Sequence, residues 1–470
     1  MRRMLAMASA MVAAAVLATP AWADVQPHRL ISDSMVLQQG AKVPVWGTSG
    51  ATEKVTVKFQ EQEQTATAKD GKWMVWFENL KPGGPFEMTI SGDNTITIKD
   101  VLVGEVWIAS GQSNMQWSVA QSADPEETAA KSANDMIRLL TVPRRAAAEP
   151  ETDVDASWAK CGPETVRDFS AVAYAFGKDL QERLKVPVGL ISTNYGGTVA
   201  EAWTSRETLD ADPEFKGFLA QPVDPKNANS PTGLYNAMIH PLLPYGIRGA
   251  IWYQGESNAS RAYQYQTLFP AMIADWRKSF NQGDFPFLFV QVAPFMDIQQ
   301  EPMDSQWAEL REAQRQTSLT IPNTAMAVIT DLGDEKDIHP KQKGPVGQRL
   351  ALAARALAYG EQVEYTGPVF DQSQASGDGI TLSFEGVGSG LVPKDGELKG
   401  FTIAGADEKF FNAKAEIQGD TVVVSSPEVT SPIAVRYGWA NYPLGNLWNQ
   451  DGLPASPFRT DDFIFTTKPK

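Results

Sequence analysis

The sequence has one cysteine, Cys161, and only three histidines, His28, His240 and His339. A lone cysteine excludes an internal disulfide, so the fold must rest on its apolar core. Its setting, Lys160-Cys161-Gly162-Pro163, brings no histidine close to activate a thiol, so Cys161 is read as a structural or surface cysteine. Scattered histidines and a single cysteine give no metal-ligand spacing, and neither a metal nor another cofactor is expected. Positive charge is also scarce: 41 Lys and Arg stand against 56 Asp and Glu, a net charge of −15. Such a surface repels phosphate, which excludes nucleic acid and anionic membranes as expected partners. After residue 23 no apolar run is long enough to span a bilayer. Internal repeats and low-complexity tracts are absent as well.

What is present begins with a leader. Met1-Arg2-Arg3 is followed by an apolar stretch from Met4 to Ala18, a break at Thr19-Pro20, and Ala21-Trp22-Ala23. A basic start, a short apolar core and an Ala-x-Ala end predict a signal peptide cleaved after Ala23, hence a periplasmic or secreted protein. Loss of Arg2 and Arg3 would take the net charge to −17. Thirteen tryptophans supply flat apolar faces of the kind that stack on sugar rings.

The length predicts two or three domains. Residues 24–100 read as short strands such as Lys54–Phe59 and Lys72–Phe77, separated by turns such as Lys81-Pro82-Gly83-Gly84: a β-sandwich-like domain. Residues 101–360 alternate buried strands with helices, which predicts an α/β sheet between helix layers. The strands are Val101–Ala109, Val186–Ile191, Gly249–Tyr253, Pro286–Val292 and Thr324–Thr330. The helices are 169–184, 263–279 and 346–359. Residues 361–470 return to short strands separated by Gly, Pro, Asp and Ser, a β-rich C-terminal domain.

Chemistry gathers where these strands end. Ser110-Gly111-Gln112-Ser113-Asn114-Met115 follows the first, and a serine in a sharp strand-to-helix turn exposes its hydroxyl and its backbone N–H together. Such a serine needs an imidazole to take its proton. His28 lies near the cleavage point in the β region, and His240 sits in apolar Met238-Ile239-His240-Pro241-Leu242. His339 instead follows Asp331, Asp334, Glu335 and Asp337 in a polar loop, where an imidazolium would be supported, so it is the better base. Asn194-Tyr195-Gly196-Gly197-Thr198 and Gln254-Gly255-Glu256-Ser257-Asn258 end two further strands, where backbone N–H groups and side-chain amides can form an oxyanion hole.

Gly111-Gln112-Ser113-Asn114-Met115, Tyr195-Gly196-Gly197-Thr198 with Glu201-Ala202-Trp203, Trp252–Asn258 and Asp337-Ile338-His339-Pro340 together resemble the sialate O-acetylesterase-like family of SGNH hydrolases. Leu310-Arg311-Glu312-Ala313-Gln314 and Asn446-Leu447-Trp448-Asn449 extend the resemblance over nearly the whole mature chain. It implies a flavodoxin-like α/β/α catalytic domain and hydrolysis of acetyl esters on carbohydrate, sialic acid or plant-type glycans. Ser113 would be the nucleophile and His339 the base; Gln112, Gly197 and either Gln254 or Asn258 would contact substrate or oxyanion. One position departs: the acid that many such enzymes place three residues before the histidine is Lys336 here. Glu256, Asp337 or a backbone carbonyl must then orient His339. Two other readings compete, a hydrolase of lipid or thioester substrates and a carbohydrate-binding protein with a degenerate centre. The absence of a long apolar lid and the intact Ser113, Gly197, Asn258 and His339 weigh against them.

Overall fold

In the computed structural model, which describes residues 24–469, one strand organises the α/β region. Strand β1, Thr95–Gly111, is 17 residues long. Its first part alternates exposed with buried positions, whereas every residue from Val101 to Gly111 is buried. Alternation marks a strand with one face in water, and an unbroken buried run marks one covered on both faces. The expected boundary at residue 100 therefore falls within β1, where Asp100 turns into the left-handed region (φ +58°) and the strand then continues in buried surroundings. The leader, residues 1–23, lies outside the described residues.

The other strands of this sheet are β2 (Asn134–Thr141), β3 (Ala159–Cys161), β4 (Val188–Asn194), β5 (Gly249–Tyr253), β6 (Phe287–Val290) and β7 (Thr324–Ala327). Their order is β3-β2-β4-β1-β5-β6-β7, parallel throughout except for β3 at the edge. The helices used below are α1 (Ser113–Gln116), α2 (Ala171–Leu184), α3 (Ala262–Phe280), α4 (Gln306–Thr320) and α5 (Lys343–Leu357). Successive β1 side chains point to opposite faces, as a strand requires. Val106 and Ile108 join a core with Leu268 and Trp276 of α3 and Leu310 of α4. Trp107 and Ala109 join another with Phe176 of α2 and Leu350 of α5. The sheet is thus sandwiched between helix layers, the expected α/β arrangement.

The N-terminal β region shares this construction. Gly83–Ser91 pairs antiparallel with the first half of β1, and Val36–Gln38 pairs parallel with its middle. Val43–Thr48 and Lys72–Phe77 form a second layer, with Phe77 set edge-on to Phe59 across the two layers at 6.1 Å. The C-terminal region is built from antiparallel pairs around a separate core of Leu382, Ile403, Val422, Val435 and Phe458. Cys161 is buried, which decides for the structural reading over a surface one, and burial pushes its thiol up to about 12.

Helix α4 was not visible in the apolar pattern, and it contacts the C-terminal region. The fully buried Arg311 donates to the carbonyls of Val292 (2.9 Å), Ala293 (3.0 Å), Ala440 (2.7 Å) and Asn441 (2.9 Å), joining the α/β sheet to the C-terminal region with one guanidinium. Arg311→Met keeps most of the apolar stem but strands these acceptors. We expect it to destabilise the protein by about 3 kcal/mol, read as a lower Tm and earlier proteolytic release of the C-terminal region. An unchanged Tm would refute this anchoring role.

Candidate active site

Ser113 is the first residue of α1, directly beyond the end of β1. The preceding Gly111 has φ +134°, and a Cβ there would lie 2.2 Å from the Tyr253 carbonyl oxygen. Only glycine allows the turn to form this close to β5. The Gln112 N–H donates to Tyr253 O (3.0 Å), and its buried side-chain oxygen accepts from the N–H groups of Gly255 and Ser257 (3.3 Å each). Gln112 therefore joins the Ser113 turn to the loop after β5, with its side-chain carbonyl already engaged. The Ser113 N–H is among the first donors of a helix, which have no partner within it.

The loop after β4 lies against this turn. A Cβ on Gly196 would sit 3.3 Å from that of Ser113, and the Gly196 N–H donates to Gln116 Oε1 (2.7 Å). Gly197 is exposed with φ +73°, and a Cβ there would meet no atom within 4 Å. Asn229 secures the loop from outside: its amide donates to Gly197 O (3.0 Å) and its oxygen accepts from Val199 N–H (2.9 Å).

Gln254 and Asn258, the amides expected to face the oxyanion, are turned inward. Both hydrogens of the Gln254 amide are spent, on Thr198 O (3.1 Å) and Asn258 Oδ1 (2.6 Å), while its oxygen accepts from Tyr265 (2.9 Å). Asn258 accepts also from Ala200 N–H (2.9 Å) and donates to Glu201 (3.1 Å). Buried polar groups are satisfied in this way, and here they brace the Gly197 loop against the loop after β5.

His339 stands in the loop between β7 and α5, with its side chain 25% exposed. Its ring stacks on Trp117, 4.5 Å between centroids and 15° from parallel. Asn114, the residue after Ser113, donates to Ile338 O (3.0 Å), the carbonyl just before His339. Stack and hydrogen bond together tie His339 to the Ser113 turn. Burial holds the imidazole below its ordinary value, the Lys343 cation adds to this, and Asp337 opposes both.

The two candidate acids occupy different places. Asp337 Oδ1 lies 3.6 Å from His339 Nδ1 and accepts the His339 backbone N–H (2.9 Å). Glu256 lies beneath Asn114, whose amide donates to its Oε1 (2.6 Å). Burial raises the Glu256 carboxyl, with Asn114 and the Lys343 cation pulling it back. The other histidines are elsewhere. His240 Nδ1 faces Glu151 O (2.6 Å) and His28 Nε2 faces Thr152 O (3.1 Å), along a separate cleft of about 540 Å³. Among the described residues no group of three or more His, Cys, Asp or Glu could hold a metal, and no helix is long and apolar enough to cross a membrane.

Sequence reasoning gave no role to Asn114, Trp117, Asn229 or Lys343. Asn114 and Trp117 lie within four residues of Ser113, and Lys343 lies four residues after His339, so proximity was the available clue.

A sequence profile of the family described as carbohydrate esterase, sialic acid-specific acetylesterase, matches residues 103–356. The sialate O-acetylesterases of Homo sapiens and Rattus norvegicus are 34% and 35% identical to this chain, covering 91% of it and 91% and 93% of their own lengths. A solved carbohydrate acetylesterase from Xanthomonas citri aligns with a TM-score of 0.87 at 40% identity, covering 93% of this chain and 100% of that one. The chain belongs to the sialic acid-specific acetylesterase family of carbohydrate esterases.

Proposed function

We propose that this enzyme removes O-acetyl groups from carbohydrate through an acetyl-enzyme on Ser113. The observation that carries the reading is the joining of Ser113 and His339 by the Asn114–Ile338 hydrogen bond and the Trp117 stack. Ser113 Oγ attacks the acetyl carbonyl carbon as His339 Nε2 takes the hydroxyl proton. The imidazolium returns that proton to the departing sugar oxygen, leaving acetyl-Ser113. Water then attacks with His339 again as base, and acetate leaves as Ser113 is restored. The N–H groups of Ser113 and Gly197 hold the oxyanion. The strand order around β1 supports the SGNH-type, flavodoxin-like reading: without the β2–β3 edge pair it becomes second-first-third-fourth-fifth. The leader supports export.

Asp337 is the orienting acid on this reading, because its oxygen is near Nδ1 while Glu256 contacts Asn114. Asp337→Asn should lower turnover on the order of a hundredfold, about 2.7 kcal/mol. Glu256→Gln keeps an acceptor for Asn114 and should cost less than about tenfold. The reverse order would give the role to Glu256, and two near-normal enzymes would give it to a backbone carbonyl. Hydrolysis of p-nitrophenyl acetate tests the activity. Acetate release from O-acetylated sialic acid, acetylated xylan and a short-chain glyceride then tests the substrate class, and a clear preference for the glyceride would overturn it.

A further inference from the structure

Lys343 is the only lysine among the buried residues described, with 1% of its surface exposed. It stands in the first turn of α5, where the helix dipole already disfavours a cation. A buried ammonium at the positive end of a helix is destabilising on both counts unless its contacts compensate. Its Nζ donates to Asn114 Oδ1 and lies 5.5 Å from the centre of the Tyr253 ring.

A lysine offers donors only, so the Asn114 oxygen must face it. The Asn114 NH₂ group is thereby directed to two acceptors, Glu256 Oε1 (2.6 Å) and Ile338 O (3.0 Å). The amide bridges a buried carboxylate and a buried ammonium, and its second hydrogen reaches the backbone before His339. We propose that Lys343 is a positioning residue: by fixing the Asn114 amide, it holds the His339 loop against the nucleophile turn. This rests on reading Ser113 and His339 as nucleophile and base.

The electrostatics agree. Burial brings the Lys343 ammonium down to about 7, with Glu256 and Asp337 opposing. While charged, Lys343 also helps keep His339 neutral, the form a base requires. The ionisable groups around Lys343 are Glu256 and Tyr253 on its inner side and Asp337 and His339 in the preceding loop. Asp124, Tyr174, Lys178, Asp179 and Glu182 line, together with Lys343, a second cleft distinct from the one at His28 and His240.

The test combines kinetics with NMR, which needs to follow only three histidines. Lys343→Met should lower kcat on p-nitrophenyl acetate about tenfold or more, with KM within about threefold, because the base is displaced and the acetyl site is not. Its His339 titration midpoint should move to higher pH, while those of His28 and His240 stay in place. Asn114→Ala should cost a similar factor, and the double variant should be no worse than the poorer single, since both act through one amide. Lys343→Gln, which keeps a donor without the charge, stands in if the methionine variant does not fold. A folded variant with unchanged kcat, multiplying losses in the double variant, or an unmoved His339 midpoint would overturn the proposal. The NMR result reads the imidazole directly and decides on Lys343 even if Ser113→Ala proves active and the esterase mechanism fails.

Discussion

Ser113→Ala is expected to lower turnover on p-nitrophenyl acetate at least about a thousandfold, roughly 4 kcal/mol, with the fold unchanged. On the proposed mechanism the hydroxyl is the atom that becomes acetylated, so nothing else in the loop replaces it. Residual hydrolysis should persist, because the N–H groups of residues 113 and 197 still polarise the ester carbonyl. The side chain lies at a half-buried position and is no part of the apolar core, so Tm should move by no more than a few degrees. Denaturing mass spectrometry of wild type quenched during turnover should find one acetyl group on the peptide containing Ser113. An active alanine variant, or an acetyl group elsewhere, would end this mechanism.

His339→Ala should be about as damaging at neutral pH, whereas His240→Ala should leave turnover per folded molecule within about threefold. The contrast follows from their partners. His240 holds the Glu151 carbonyl, and losing that bond costs about 1 kcal/mol of stability. His339 faces Asp337 and stacks on the tryptophan of the nucleophile turn. Because burial and the Lys343 charge hold its imidazole below 6.5, the neutral form persists to lower pH than in a free histidine. The acid limb of kcat/KM should accordingly fall below pH 6.5. A limb above 6.5, or an inactive folded His240 variant beside an active His339 variant, would reverse the assignment.

Much of this arrangement was legible in the sequence because burial on both faces writes continuous apolar runs. Gly249–Tyr253 was recovered residue for residue, and the helices at 171–184, 262–280 and 343–357 were located to within about three residues. Helix α4 was not, for a physical reason. Its buried positions include Arg311, Glu312, Gln314 and Arg315, so no apolar stripe repeats along it. The covering partners are backbone carbonyls and other charged groups, which pattern reading does not register. Strand β2 escaped because only Ile137 to Leu140 are buried, too short a run to separate from a loop. Within the site, the motifs brought the right loops together but not the direction of each side chain. Gln254 and Asn258 were legible as polar residues at a strand end, and only their partners show them facing inward.

The long strand from Thr95 to Gly111 also limits which lineages can descend from this protein. Insertions and deletions accumulate in loops, where the flanking elements absorb them. Between residues 101 and 111 a single added residue would rotate Val106 and Ile108 into the wrong helix layer and Trp107 into the other. It would also push the serine turn forward by about 3.3 Å, out of register with the loops that meet it. A crossover at residue 100 fares little better, since a domain beginning there starts in mid-strand with its pairing edge bare. The N-terminal β region and the Ser113 turn are thus tied through one strand, and family members are expected to vary in length before residue 95 or after residue 117.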